Sequence, residues 1–286
     1  MLLLQPNIKR MARFDGKHLR GKIGNTSYKV YRKQQVVSGK STKTEFLRTK
    51  PMDRSSNLFG KVSTLNSYIR MYMSPLFDKF HDGEMLSRLN GSTNLALNSV
   101  FNEEQLTFSF KADTFNRLAG FEFNIQSCVA DVFLAYLAVT YTAGNVSILI
   151  PELIVSKQIE FPSSSPICRI IFSRTHLDLE SGYGEDSELK YITVVKDQTL
   201  AVIPPQTIEF DTEPGCLCLI GIGFHFYKKS FVGEVMTNSK EFNPVAILSA
   251  HMTDGIHVLP VEGTWSEMIN TKGKAAIFKT SIKDLD

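Results

Sequence analysis

Two periods of apolar spacing run along this chain, and each marks a different kind of element. Leu58, Val62, Leu65, Ile69 and Tyr72 recur at steps of four and three. That spacing lines them up as one stripe on an α-helix. Asp53 or Ser55 is placed to cap the start, and Pro75 to close the end. Burying one large apolar side chain contributes roughly 1.5–3 kcal/mol. The stripe therefore requires a covering partner, in the same chain or in another. A second helix is expected over residues 83–96, with Met85, Leu86 and Leu89 on one side.

From about residue 100 the period shortens to two, the signature of strands. Residues 106–110 and 121–125 alternate apolar and polar side chains. Residues 133–142 form a longer aromatic and β-branched run, closed by Ala143-Gly144-Asn145 and followed by an apolar segment at 146–150. That arrangement predicts a hairpin. Further strands are expected at 167–172, 191–195, 200–203, 207–210, 216–227 and 246–252, separated by proline and glycine turn signals. Nine or ten strands at this spacing predict a mainly β fold, a β-sandwich or jelly-roll-like body.

Residues 13–52 follow neither long pattern. Gly21, Gly24 and Asn25 supply turn chemistry before Thr26-Ser27-Tyr28-Lys29-Val30-Tyr31. As a strand this run sets Tyr28 and Val30 on one face and Lys29 and Tyr31 on the other. Lys33-Gln34-Gln35 is placed to turn the chain into Val36-Val37, making a hairpin that two strands alone would hold only marginally. The expected organisation is a basic extended arm over 1–52, a helical segment over 53–99 and a β-rich body over 100–286.

Charge sharpens this division. Residues 1–90 carry 18 Lys/Arg and 6 Asp/Glu, whereas residues 91–286 carry 14 and 23, so a net of +12 faces a net of −9. A basic arm on an acidic body can bind nucleic acid, or the acidic body of a neighbouring copy. The opening Met1-Leu2-Leu3-Leu4-Gln5-Pro6 is too short for a secretory h-region. Met11 serves equally well as a start. No window reaches the ~20 apolar residues of a membrane-spanning helix. The expected setting is cytoplasmic or a virion-like assembly.

Candidate chemistry is sparse. Cys128, Cys168, Cys216 and Cys218 include no Cys-x-x-Cys pair, and they read as buried small hydrophobes. Gly39-Lys40-Ser41-Thr42 resembles the tail of a phosphate-binding loop, but Gln34 stands where the first glycine belongs, so a solvated basic connector is expected. Gly221-Ile222-Gly223 lacks the third glycine of a dinucleotide fingerprint and points to a bulge or a close backbone approach. The six histidines do not cluster in sequence. Asp178, Glu180, Glu185, Asp186 and Glu188 gather around Gly182 and Gly184. That run reads as an exposed turn, with cation binding or docking of a basic arm as its functional alternatives.

Gly21-Lys22-Ile23-Gly24-Asn25, the following Tyr28-Lys29-Val30-Tyr31-Arg32, and Phe59-Gly60-Lys61-Val62-Ser63 resemble the openings of uncharacterised proteins from Bacteroidota bacteria. Those proteins begin with a short Gly-Lys-x-Gly motif, a basic segment and a helix. The likeness covers about residues 11–70 and implies no catalytic residues.

The function expected from the sequence is therefore a non-enzymatic structural protein, a filament, sheath or virion-like component, with no cofactor. It would self-associate by passing its arm to the acidic body of a neighbour. Tyr28, Lys29, Val30, Tyr31, Arg32 and Lys33 would add a strand there, and the helix face of Leu58, Val62, Leu65 and Ile69 would join the contact. The acidic loop would be the docking point. The alternative is a binding module, for nucleic acid through the arm or for carbohydrate through the β body.

Overall fold

A computed structural model describes residues 12–31, 33–39, 49–196, 202–260, 264–269 and 277–279. The fold is mainly β, with helices. The chain divides into two compact units, Met1–Asp53 and Arg54–Asp286.

The first unit holds four strands, Arg13–Phe14 (β1), Leu19–Ile23 (β2), Thr26–Tyr31 (β3) and Gln34–Gly39 (β4), paired in chain order as an antiparallel meander. The hairpin expected over residues 26–37 is present, and β1 and β2 extend it into a sheet where an open arm was expected. The helix Lys50–Phe77 (α1) begins in this unit and continues into the second.

The second unit opens with the rest of α1 and with Met85–Ser99 (α2). Short strands Phe101–Asn102 (β5), Thr107–Phe108 (β6) and Phe121–Glu122 (β7) follow, then the helical turn Val129–Val132 (α3). Next come Ala138–Thr142 (β8), Asn145–Ile150 (β9), Leu153–Ile154 (β10) and the turn Val155–Gln158 (α4). The remaining strands are Ile167–Asp178 (β11), Tyr183–Glu185 (β12), Glu188–Val195 (β13), Val202–Ile203 (β14), Gln206–Asp211 (β15), Leu217–Ser230 (β16), Gly233–Met236 (β17), Val245–Met252 (β18) and Trp265–Glu267 (β19).

Its centre is an eight-stranded antiparallel sheet in the order β19-β12-β11-β16-β18-β7, with β13 beside β11 and β17 beside β16. The long strands β11 and β16 are buried along most of their length. Such strands read as continuous apolar runs because both faces are covered. On one face Cys168, Ile170, Phe172, Ile222, Phe224 and Phe226 pack against Val146, Ile148, Ile150 and Phe210 of the three-stranded sheet β15-β9-β8. On the other, Leu217 and Leu219 pack with the α1 residues Val62, Leu65, Ile69, Met73 and Leu76.

The apolar stripe of α1 thus finds its partner within its own unit. Val62, Leu65, Ile69 and Tyr72 are buried, and Leu58 packs at the margin. Gly221 makes the close approach possible: a Cβ there would stand 2.6 Å from both Leu76 Cδ1 and Ser173 Oγ. A register shift between Ile220 and Gly221 marks the bulge expected from the glycines. Asn66 donates to Asn90 and accepts from Thr93, each at 2.8 Å, pinning α2 to α1.

Three local expectations change. The start of α1 lies earlier than Asp53, because the Asp53 N–H already bonds the Thr49 carbonyl (3.1 Å). Pro75 sits inside the helix. The Met71 carbonyl that Pro75 cannot serve accepts the Ser74 hydroxyl instead (2.7 Å). Leu86 is exposed, while Met85 and Leu89 are buried. Among the described residues, no helix is long and apolar enough to cross a membrane.

Candidate functional site

Two places concentrate polar chemistry or uncovered apolar surface, one in each unit. In the first unit, the turns set the register. Ile23 pairs with Thr26 across Gly24 and Asn25, and Gly24 adopts a φ of 56° that the two-residue turn requires. Tyr31 pairs with Gln34, and Lys33 takes a φ of 64° in the turn between them. The Gln35 amide accepts from the Leu19 N–H (2.8 Å) and donates to the Leu19 carbonyl (2.9 Å), tying β4 to β2.

This register sorts the side chains into two unlike faces, because directly paired residues point the same way. Phe14 pairs with Leu19, Gly21 with Tyr28, Tyr28 with Val37 and Val30 with Gln35. One face therefore carries Phe14, Leu19, Ile23, Tyr28, Val30 and Val37. Arg13 pairs with Arg20, Lys22 with Ser27, Lys29 with Val36 and Tyr31 with Gln34. The other face carries Arg13, Arg20, Lys22, Lys29 and Tyr31. None of the described residues from 12 to 39 is buried. On the apolar face Phe14 is 63%, Ile23 52% and Val37 56% exposed. Asp15 is the unit's one acidic residue between 12 and 39. Its Oδ2 pairs with Arg20 Nε (2.9 Å) and its Oδ1 accepts the His18 N–H (2.8 Å).

Of the residues expected at an assembly interface, Tyr28, Lys29, Val30 and Tyr31 lie on β3, whose backbone pairs with β2 on one side and β4 on the other. Strand addition through these four residues is therefore closed. Lys33 is in the turn, and Arg32 lies outside the described residues, as does the basic connector at 40–48. Val62, Leu65 and Ile69 are fully buried in their own unit, so they offer no surface to another chain.

The second place is a buried ionic cluster at the end of the central sheet. Arg174, His176 and Asp178 alternate along β11 and share one face, and all three are buried. The Arg174 guanidinium donates to Glu185 and to Glu188 (2.7 Å). His176 Nε2 accepts the Glu213 N–H (3.3 Å), which leaves the proton on Nδ1 for Glu185 Oε2 (2.8 Å). Burial lowers the pKa of His176, which keeps the ring neutral. Burial alone would raise Glu185, but the hydrogen bond from His176 and the Arg174 charge outweigh it and hold the carboxylate below its ordinary value.

Asp178 Oδ1 accepts the N–H groups of Glu180 (3.0 Å) and Ser181 (2.9 Å), and its Oδ2 accepts His257 Nδ1–H (3.0 Å). The His257 side chain is only 2% exposed, its ring lies 4.3 Å from that of Trp265, and its buried Nε2 has no hydrogen-bond partner among the described residues. An oriented Asp–His pair is a component of acid–base sites. Here it is closed off from solvent and ties the β11–β12 turn to the segment around residue 257. Nearby thiols do not supply a nucleophile, since burial raises Cys216, and raises Cys218 to about 12.

The expected acidic docking loop is thus a correction. Asp178, Glu185 and Glu188 have partners inside the unit, and only Glu180 and Asp186 are exposed. Burying Asp178 and partly burying Glu185 is tolerated because each is paired, while Glu188 reaches Arg174 from a partly exposed position. No group of three or more His, Cys, Asp or Glu side chains suited to a metal occurs among the described residues. Sequence reasoning missed this cluster. Its signal was Arg-x-His-x-Asp at period two within an apolar strand, where polar side chains facing a core must bond one another. An open groove of about 730 Å³ between Ser99 and Arg117 contains none of these residues.

No protein-family model matches the chain, and no curated protein or solved structure matches it.

Proposed function

We propose that this chain is a non-enzymatic structural protein, a filament, sheath or virion-like component, that self-associates through its N-terminal sheet. The second unit serves as a rigid, jelly-roll-like block. The observation that carries this reading is the apolar face of Phe14, Leu19, Ile23, Tyr28, Val30 and Val37 in a unit with no buried described residue. A sheet of this size is stable when one face is covered. The occupant is the same face of a second copy. Two such sheets stack at ~10 Å in a sandwich, and a two-fold axis makes the patch its own complement. Stacking through the opposite faces would instead oppose Arg13, Arg20, Lys22 and Lys29 to their like charges.

Size-exclusion chromatography with light scattering on the full chain tests this. The wild type is expected as an oligomer. Phe14→Ser/Ile23→Thr/Val37→Thr, which keeps strand propensity at the last two positions, is expected at the monomer mass. A wild-type monomer, or an oligomer that survives the triple substitution, would overturn the reading.

A further inference from the structure

We propose that the basic face of the N-terminal sheet is a seat for single-stranded nucleic acid. Arg13, Arg20, Lys22 and Lys29 project from three successive strands on one side. Neighbouring strands stand about 4.8 Å apart, and same-face positions along a strand are about 6.6 Å apart. The four cations therefore form a compact field that a flexible phosphate backbone can follow. Tyr31, 63% exposed, lies on this same face and offers a ring on which a base can stack. Gln34 adds a neutral donor beside it, and Ser27 and Ser38 add others farther along the same face.

Charge and shape select this occupant. The one carboxylate between residues 12 and 39, Asp15, is engaged with Arg20 and with the His18 N–H. A lipid surface would demand an apolar wedge among the cations, but most of the sheet's apolar side chains point the opposite way. A duplex hides its base faces, and this flat sheet presents neither a helix nor a two-stranded ribbon to a groove. An acidic surface of another copy lacks a partner for Tyr31, and the chain's densest acidic run is mostly paired internally. The seat lies opposite the face proposed for self-association, so the two activities are separable by mutation.

Fluorescence anisotropy of a labelled oligothymidylate, titrated with the full chain at several salt concentrations, tests the seat. At ~0.7 per neutralised phosphate, the three cations not paired with Asp15 give a log–log salt slope of about −2. Lys22→Gln/Lys29→Gln should reduce the slope by about 1.4 units for the two lost contacts. Tyr31→Ala should weaken binding about five-fold or more while leaving the slope unchanged. Both variants should keep the wild-type mass and circular dichroism. Phe14→Ser/Ile23→Thr/Val37→Thr should keep its affinity per chain, which separates this test from that of self-association. The proposal is overturned by an absence of binding at low salt, by a slope that survives Lys22→Gln/Lys29→Gln, or by indifference to Tyr31→Ala. Equal affinity for polyglutamate or for duplex of the same length would also overturn it.

Discussion

Glu122 offers a test of the body whose sign and size follow from its surroundings. It sits on β7 with Oε1 accepting the Val129 N–H (3.0 Å). Its buried Oε2 has no hydrogen-bond partner among the described residues. Burial raises its pKa from 4.5 to about 7, the N–H groups of Val129 and Ala130 pull against that rise, and the Asp131 charge adds to it. A folded value above the unfolded one means that the protonated form is favoured by folding. The contribution is fully favourable below 4.5 and is lost as pH climbs to about 7. Above that, the folded chain holds a carboxylate that burial penalises.

Glu122→Gln keeps the Oε1 acceptor and removes the titration. At about 1.36 kcal/mol per pKa unit, the raised value corresponds to on the order of 3 kcal/mol. Glu122 is only half-buried, so solvent screening reduces the expected gain to ~1–2 kcal/mol. At roughly 2–4 °C per kcal/mol for a domain of this size, the variant should melt about 2–8 °C above wild type at pH 8. Near pH 5 both forms are largely neutral and the gap should nearly close. Thermal melts followed by circular dichroism across this range give the curve directly. A gap independent of pH, or a variant that melts at or below wild type at pH 8, would refute the reasoning.

The packing and the ionic cluster yield three more expectations. Gly221→Ala should lower stability by about 1–3 kcal/mol in urea unfolding, since its Cβ would meet Leu76 and Ser173 at 2.6 Å; an unchanged midpoint would mean that α1 sits farther from the sheet. Asp178→Asn should move His257 from the Nδ1–H to the Nε2–H tautomer, visible in long-range nitrogen-15 spectra, because the new amide confronts the present Nδ1–H donor; an unmoved tautomer would contradict the pairing. His176, Glu185 and Glu188 all titrate below their ordinary values when folded, so each stabilises the fold above its ordinary value. Against the opposite trend of Glu122, and alongside the likewise lowered His225 and His251, the cluster's contribution should fall as pH drops below 6.5, through His176, and again below 4.5, through the two glutamates. Arg174→Met should flatten the lower step, and an acid profile identical to wild type would count against the network.

How much of this was legible depends on how local the signal is. The α1 stripe was readable because its period is fixed by one helix whatever covers it. The strands at 145–150, 206–211 and 245–252 were readable because alternation and flanking turns are also local. Strand pairing was not, because it depends on residues far apart in sequence. Nothing near Phe121 announces Ile247 as its partner. The true start of α1 was hidden because Pro51 and Lys50 occupy a first turn that packs on nothing periodic. The ionic cluster was hidden for a related reason. Asp178 and His257 are 79 residues apart, and an acidic run reads as solvent-exposed until its partners are placed.

The N-terminal sheet carries the limit furthest. Its excess of positive charge is a sum over residues and says nothing about direction. Alternation in β3 separates Tyr28 and Val30 from Lys29 and Tyr31, but one strand cannot tell whether its neighbours agree. Agreement comes from register. The two-residue turns at Gly24-Asn25 and before Gln34 bring Tyr28 opposite Gly21 and Val37, and bring Lys22 opposite Ser27. A slip of one residue in either pair would turn that neighbour over and mix cations with Ile23 or Val37. One mostly apolar face and one mostly basic face therefore exist only because Gly24 and Lys33 hold left-handed backbone at the two turns. What composition presents as a basic arm is, once paired, a sheet with two unlike faces.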